Sequence, residues 1–112
     1  MTLKTAFPIF LLCIALTSCK KQDIGTPGKN EIWLEYQAYV PGQLTIPVGT
    51  TVTFTNKDNA NHSATETTHL FDSGTVKSGN TYSYTFTTKG IFYIYCVYHS
   101  SNQSEQGSIL VQ

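Results

Sequence analysis

The stretch GIFYIYCVYHSSNQSEQG, Gly90 to Gly107, ends an apolar run on Cys96 and places His99 three residues later. Far upstream, NKDNANHSAT, Asn56 to Thr65, carries His62 behind a polar turn. A thiolate and two imidazoles in one trigonal plane accommodate both Cu(II) and Cu(I) with little rearrangement, which is what fast one-electron exchange requires. Standing alone, a cysteine at a strand end is ordinarily just a small buried apolar residue. The three residues can form one centre only if the fold carries residue 62 to residues 96 and 99.

The elements that must do this read as β-strands. Short runs rich in Val, Ile, Thr, Tyr and Phe alternate with Gly, Pro and Asn, and no helical period is sustained. Alternation puts Ile32, Leu34 and Tyr36 on one strand face, Leu44 and Ile46 on a second, and Val52 and Phe54 on a third after the turn PVGT. The turn SGN, Ser78 to Asn80, leads into a strand with Tyr82, Tyr84 and Phe86 on one face. The next strand sets Phe92, Ile94 and Cys96 together, opposite Ile91, Tyr93 and Tyr95, and a closing strand carries Ile109 and Val111. About seven or eight strands of this length bury their apolar faces best as two stacked sheets, so an all-β Greek-key β-sandwich is predicted. The sulfur of Cys96 then points into the core near one end, with His99 where the strand gives way to a loop.

Composition narrows the function. The 112 residues carry seven lysines, seven carboxylates and no arginine, so neither a nucleic-acid track nor a basic membrane-binding face is supported. Both well-placed histidines are committed to the candidate centre, and no paired-carboxylate pattern appears, so an enzyme is not expected. His69, in TTHLFDSG, reads as a solvated loop residue and is not counted as a ligand.

The N-terminus has a lysine, an apolar segment from Ala6 to Leu16, and small polar residues before Cys19. A mature membrane span needs about 20 apolar residues, so the shorter segment fits a cleavable export signal. LTSC, Leu16 to Cys19, resembles the lipobox of bacterial lipoproteins over all four positions. That resemblance implies a signal peptide over 1–18, lipidation at Cys19, a flexible tether over 19–30 and a folded domain over 31–112. It places the domain on the periplasmic or cell-surface side of a bacterial membrane, held there by lipid. Cys13 then leaves with the signal and Cys19 is taken by lipid, which leaves Cys96 as a lone thiol in an oxidising compartment.

From YVPGQLTIPVGTTVTFTNKDNANHSAT through FDSGTVKSGNTYSYTFTTKGIFYIYCVYH to GSILV, the chain resembles the plastocyanin-like cupredoxins. Carried over by position, the resemblance implies that His62, Cys96 and His99 are the strong ligands of a single copper ion, one per chain. One departure stands out: the family's weak axial methionine has no counterpart, because Met1 is the only methionine. Counting back from Gly107 puts Glu105 at the axial position, and counting forward from His99 puts Ser104 there, with Gln103 and Gln106 also in reach. The axial bond is long and weak, so its replacement tunes potential and colour more than it abolishes binding. A Glu105 carboxylate would favour Cu(II) and lower the potential. Family likeness further assigns the Ser63 backbone N–H to the cysteine sulfur and Asn61 to bracing the same turn.

The resemblance implies a monomeric electron carrier that exchanges electrons with redox protein donors and acceptors and binds no nucleic acid. Its electron port would be the exposed edge of His99, ringed by Val97 and Tyr98. Two other roles use the same fold: a copper-binding or delivery module, and a lipid-anchored β-sandwich interaction protein with an altered metal site. In the second, Glu105 could serve as the fourth ligand of zinc.

Overall fold

The computed structural model describes residues 25–112. The expected signal peptide, the expected lipidation site Cys19 and the first half of the expected tether lie outside the described residues. Eight strands form two four-stranded sheets: β1 (Glu31–Glu35), β2 (Ala38–Val40), β3 (Gln43–Ile46), β4 (Thr50–Asn56), β5 (Thr65–Glu66), β6 (Thr81–Phe86), β7 (Gly90–Tyr95) and β8 (Gln106–Val111). One sheet runs β2-β1-β4-β6 and the other β3-β8-β7-β5. Each contains one parallel pair, β1 with β4 and β3 with β8, so the connections cross between sheets rather than proceeding as simple hairpins. The predicted β-sandwich is the observed architecture, and no α-helix occurs among the described residues.

Alternation decides what each strand buries. Ile32 and Leu34 of β1, Val52 and Phe54 of β4, Phe86 of β6, Ile94 of β7, and Ile109 and Val111 of β8 meet between the sheets. On the outer side of the first sheet, hydroxyl ladders replace apolar contact: Thr51 Oγ1 lies 2.7 Å from Thr85 Oγ1, and Thr53 Oγ1 lies 3.0 Å from Ser83 Oγ. The expectation that Tyr36 continues the inward stripe of Ile32 and Leu34 is corrected. β1 ends at Glu35, Gln37 adopts a left-handed φ of 58°, and Tyr36 stands exposed at the tip of the turn. Strand β2, which that turn begins, carries Tyr39 back into the core and was not anticipated from sequence.

Phe71 fills the region where the long β5–β6 connection folds over the sandwich. Its ring is 4.4 Å from that of Tyr84 in a stacked arrangement and 5.7 Å from Phe86 edge-on, with Phe54 and Tyr82 completing the cluster. Just before it, the buried carboxylate of Glu66 organises the loop. Glu66 Oε2 accepts from the backbone N–H groups of Thr68, at 2.7 Å, and Leu70, at 3.1 Å, and from the Thr68 hydroxyl. Desolvation pushes the Glu66 pKa up, but these hydrogen bonds together outweigh it and hold the carboxyl below its ordinary range.

A folded-state pKa below the unfolded one stabilises above the unfolded value and is lost as pH falls through the folded value. Urea titration of the metal-free protein should therefore show Glu66→Gln less stable than wild type by about 1–3 kcal/mol at neutral pH, with the gap narrowing in acid. A gap that stays constant down to strongly acid pH would contradict this role for the carboxylate. Phe71→Ala should lower the unfolding free energy by about 3–5 kcal/mol in the same titration.

Candidate metal centre

The pairing of β7 with β8 aligns Tyr95 with Gln106, and one step further Cys96 N–H donates to Glu105 O at 3.3 Å. Cys96 and Glu105 are therefore direct cross-strand neighbours. Because side chains alternate, both point inward while Tyr95 and Gln106 point out. The loop between them is built from two 3-10 turns, Val97–His99 and Gln103–Glu105. Three successive i to i+3 bonds run through it: His99 N–H to Cys96 O at 3.2 Å, Asn102 N–H to His99 O at 2.8 Å, and Glu105 N–H to Asn102 O at 3.1 Å. These bonds fold the loop back on itself, so that His99 returns to the side on which Cys96 and Glu105 meet.

His62 arrives from the other direction. It exchanges backbone hydrogen bonds with Val76, at 3.2 Å and 2.8 Å, which holds the approach to β5 against the β5–β6 connection. Its Nδ1 lies 3.8 Å from Cys96 Sγ and 3.7 Å from Glu105 Oε2. His99 Nδ1 lies 3.6 Å from the sulfur and 2.7 Å from the same Glu105 oxygen. One donor atom from each of His62, Cys96, His99 and Glu105 falls within 4.8 Å of all the others. Cys96, His62 and Glu105 are buried, while the His99 side chain is 40% exposed.

The Glu105 carboxylate divides its two oxygens. Oε1 accepts the Gln37 backbone N–H at 2.9 Å, and Oε2 is buried without a hydrogen bond, its near contacts being the two histidine Nδ1 atoms. A buried carboxylate oxygen without a hydrogen bond is costly, and a cation among these four donors would offset that cost. The donor set fits a metal ion. Burial pushes the Cys96 thiol up, and the nearby Glu105 carboxylate adds to this, against backbone hydrogen bonds from Ser63 and Tyr98 that lower it. A cation at the centre would reverse that balance in favour of thiolate.

A family model described as a cupredoxin-like domain matches residues 8–111. The chain belongs to the cupredoxin-like family. No curated protein matches it. Among solved structures, a purple cupredoxin from Nitrosopumilus maritimus is 28% identical, with a TM-score of 0.67, covering 73% of this chain and 98% of that one. An amicyanin variant in the Cu(I) state is 23% identical, with a TM-score of 0.66 over 73% of this chain and 80% of that one, and shares the fold. A copper-containing nitrite reductase from Thermus scotoductus SA-01 is 26% identical, with a TM-score of 0.63, over 73% of this chain but only 22% of its own.

Of the four loop residues considered from sequence, one lies in the cluster. Glu105 reaches the centre, whereas Gln103, Ser104 and Gln106 are exposed on the loop and at the start of β8. His69 is an exposed loop residue with a φ of 64°. Ser63 does more than offer its backbone: its Oγ accepts the Val97 N–H at 2.9 Å, and its carbonyl accepts the Tyr39 hydroxyl at 2.6 Å. Burial pushes the Tyr39 pKa far up, with the neighbouring Cys96 and Glu105 adding to it, so this hydroxyl stays a donor. Asn61 is exposed, and the bracing expected of it belongs to Asn56. The Asn56 Nδ2 donates to Ala60 O at 2.7 Å and Val76 O at 2.8 Å, and its Oδ1 accepts the Asp58 N–H at 2.8 Å. Asn56 closes a strand in an otherwise apolar pattern, and a buried asparagine at such a strand end is the signal that marks it. Asp58 and Gln37, which touch His62 and Glu105, were not singled out from sequence.

Ser63→Ala removes the acceptor of a ligand-loop N–H and should lower the unfolding free energy by about 1–3 kcal/mol. Asn56→Ala, which strands two carbonyls and one N–H, should cost more than Ser63→Ala. Chemical denaturation of the two variants checks the order, and equal stability of Asn56→Ala and wild type would contradict the bracing role.

Proposed function

We propose that this protein is a single-copper electron carrier in which His62, Cys96 and His99 are the strong ligands and Glu105 holds the axial position. The observation that carries the reading is the convergence of these four donor atoms, among them a buried carboxylate oxygen without a hydrogen bond. Copper, when bound, supplies a reversible one-electron couple. The chain's part is to hold the ligands still: Cys96 and Glu105 on the β7–β8 ladder, His99 in hydrogen-bonded turns, and His62 through its bridge to Val76. A carboxylate at the axial position adds negative charge beside the ion and favours its oxidised form, which lowers the potential.

His99 is the electron port in this reading, since it is the one partly exposed member of the cluster and is flanked by the exposed Val97 and Tyr98. The partners are redox proteins, and the chain acts as a monomer without catalysing a reaction of its own. A lipid at Cys19 and a flexible segment behind it would keep the domain outside the cytoplasm while letting it move between membrane-bound donors and acceptors. The buried Glu105 also favours a second occupant, because two histidines, a cysteine and a carboxylate make a complete tetrahedral set for zinc.

One visible and EPR spectrum of the copper-loaded protein separates these readings. Strong thiolate-to-copper absorption that bleaches reversibly on reduction, and is abolished in Cys96→Ser, is the expected result. A colourless, redox-silent complex, or preference for zinc in direct competition, would overturn the carrier reading. Glu105→Gln should raise the potential and shift the spectrum, and an unchanged potential and spectrum would remove Glu105 from the ligand set.

A further inference from the structure

The ring of His62 has two edges, and only one faces the cluster. Its Nδ1 is turned to Cys96 Sγ and Glu105 Oε2, while Nε2 lies 2.7 Å from Asp58 Oδ2. The ring is 1% exposed, so an N–H on that far edge cannot rely on water. An ionised carboxylate only accepts hydrogen bonds, so the proton in this contact belongs to Nε2. In a neutral imidazole that leaves Nδ1 with its lone pair free and directed at the centre.

Asp58 is fixed in turn. Its Oδ1 accepts the Asn59 N–H at 2.7 Å, and its own N–H is tied to Asn56 Oδ1. Asn56 also binds the carbonyl of Val76, the residue that bridges His62. Asp58 and His62 are thus two points on one closed hydrogen-bonded circuit, and the carboxylate is aimed at the ring rather than at solvent.

We propose that Asp58 is a positioning residue for His62, locking the ring as the Nε2–H tautomer and biasing the centre toward the more highly charged ion. The inference rests on the copper reading above for its second half only. Asp58 adds a third negative charge to those of the cysteine thiolate and Glu105, and its hydrogen bond makes Nδ1 the better donor. Partners of this kind in metal sites change affinity by about 10–100-fold when removed. The effect is larger for Cu(II) than for Cu(I), because the same negative charge acts on a greater positive one. A tenfold loss confined to Cu(II) corresponds to a rise of about 59 mV in a one-electron potential.

Two variants separate orientation from charge. Asp58→Asn keeps an oxygen acceptor and loses the charge, whereas Asp58→Ala loses both. In the metal-free protein, nitrogen NMR should report the Nε2–H tautomer of His62 in wild type and Asp58→Asn, and a mixture of tautomers in Asp58→Ala. Chelator competition with copper alone should show Cu(II) affinity weakened about 10-fold or more in Asp58→Asn, and further in Asp58→Ala, with a smaller change for Cu(I). Asp58 is on the surface side of the ring, and Asp58→Asn preserves its size, so a folded variant is available if Asp58→Ala is not. An unchanged tautomer in Asp58→Ala, or a wild-type tautomer other than Nε2–H, would overturn the positioning role. Equal losses for Cu(I) and Cu(II) would overturn the charge bias. If wild type takes up no copper, the electron-carrier reading and the charge bias fail together, and the tautomer comparison still decides the orienting role of Asp58.

Discussion

The register between β7 and β8 is the constraint on which the centre depends. It makes Cys96 and Glu105 neighbours across the ladder, and strand alternation then turns both side chains inward. A slip of one residue would present Tyr95 or Gln106 to the core instead and exclude the thiol and carboxylate together. The register is held by apolar residues well away from the cluster, Ile94 on one strand and Ile109 and Val111 on the other, all buried between the sheets. Core packing and placement of the cluster are thus one problem, solved by the same alternation.

The remaining members of the cluster are delivered by hydrogen bonds rather than by the core. His99 depends on the 3-10 turns that follow β7, and His62 on its bridge to Val76. Ser63 ties the two deliveries together by accepting the Val97 N–H and, through its carbonyl, the buried Tyr39 hydroxyl. Polar groups placed in this way carry a directional requirement that apolar contacts lack, which suits a site whose donor atoms must meet at one point.

Much of this was legible in the sequence, and the limits have physical causes. The sandwich followed from alternation in the strands carrying Val52 and Phe54, Phe92 and Ile94, and Ile109 and Val111. Tyr36 broke that pattern because a left-handed Gln37 ends β1 early, and alternation says nothing about where a strand stops. Gln103, Ser104, Glu105 and Gln106 were not separable by counting, because a count along a loop cannot tell which residue faces its neighbour across a ladder, as Glu105 does. Asn56 and Asp58 were overlooked because a polar turn before a histidine is common, and their importance comes from hydrogen bonds that close only in three dimensions.

The parallel pairing of β3 with β8 joins segments from opposite ends of the domain. Contacts this remote form late, since a long stretch of chain must be drawn closed before either strand gains from the other. A polypeptide that has emerged only as far as β7 already displays its cysteine, yet has neither Glu105 nor the partner strand that turns the thiol inward. The cluster is therefore completed only with the last strand, and loss of β8 with the Glu105 that leads into it would remove the carboxylate and unseat the thiol together.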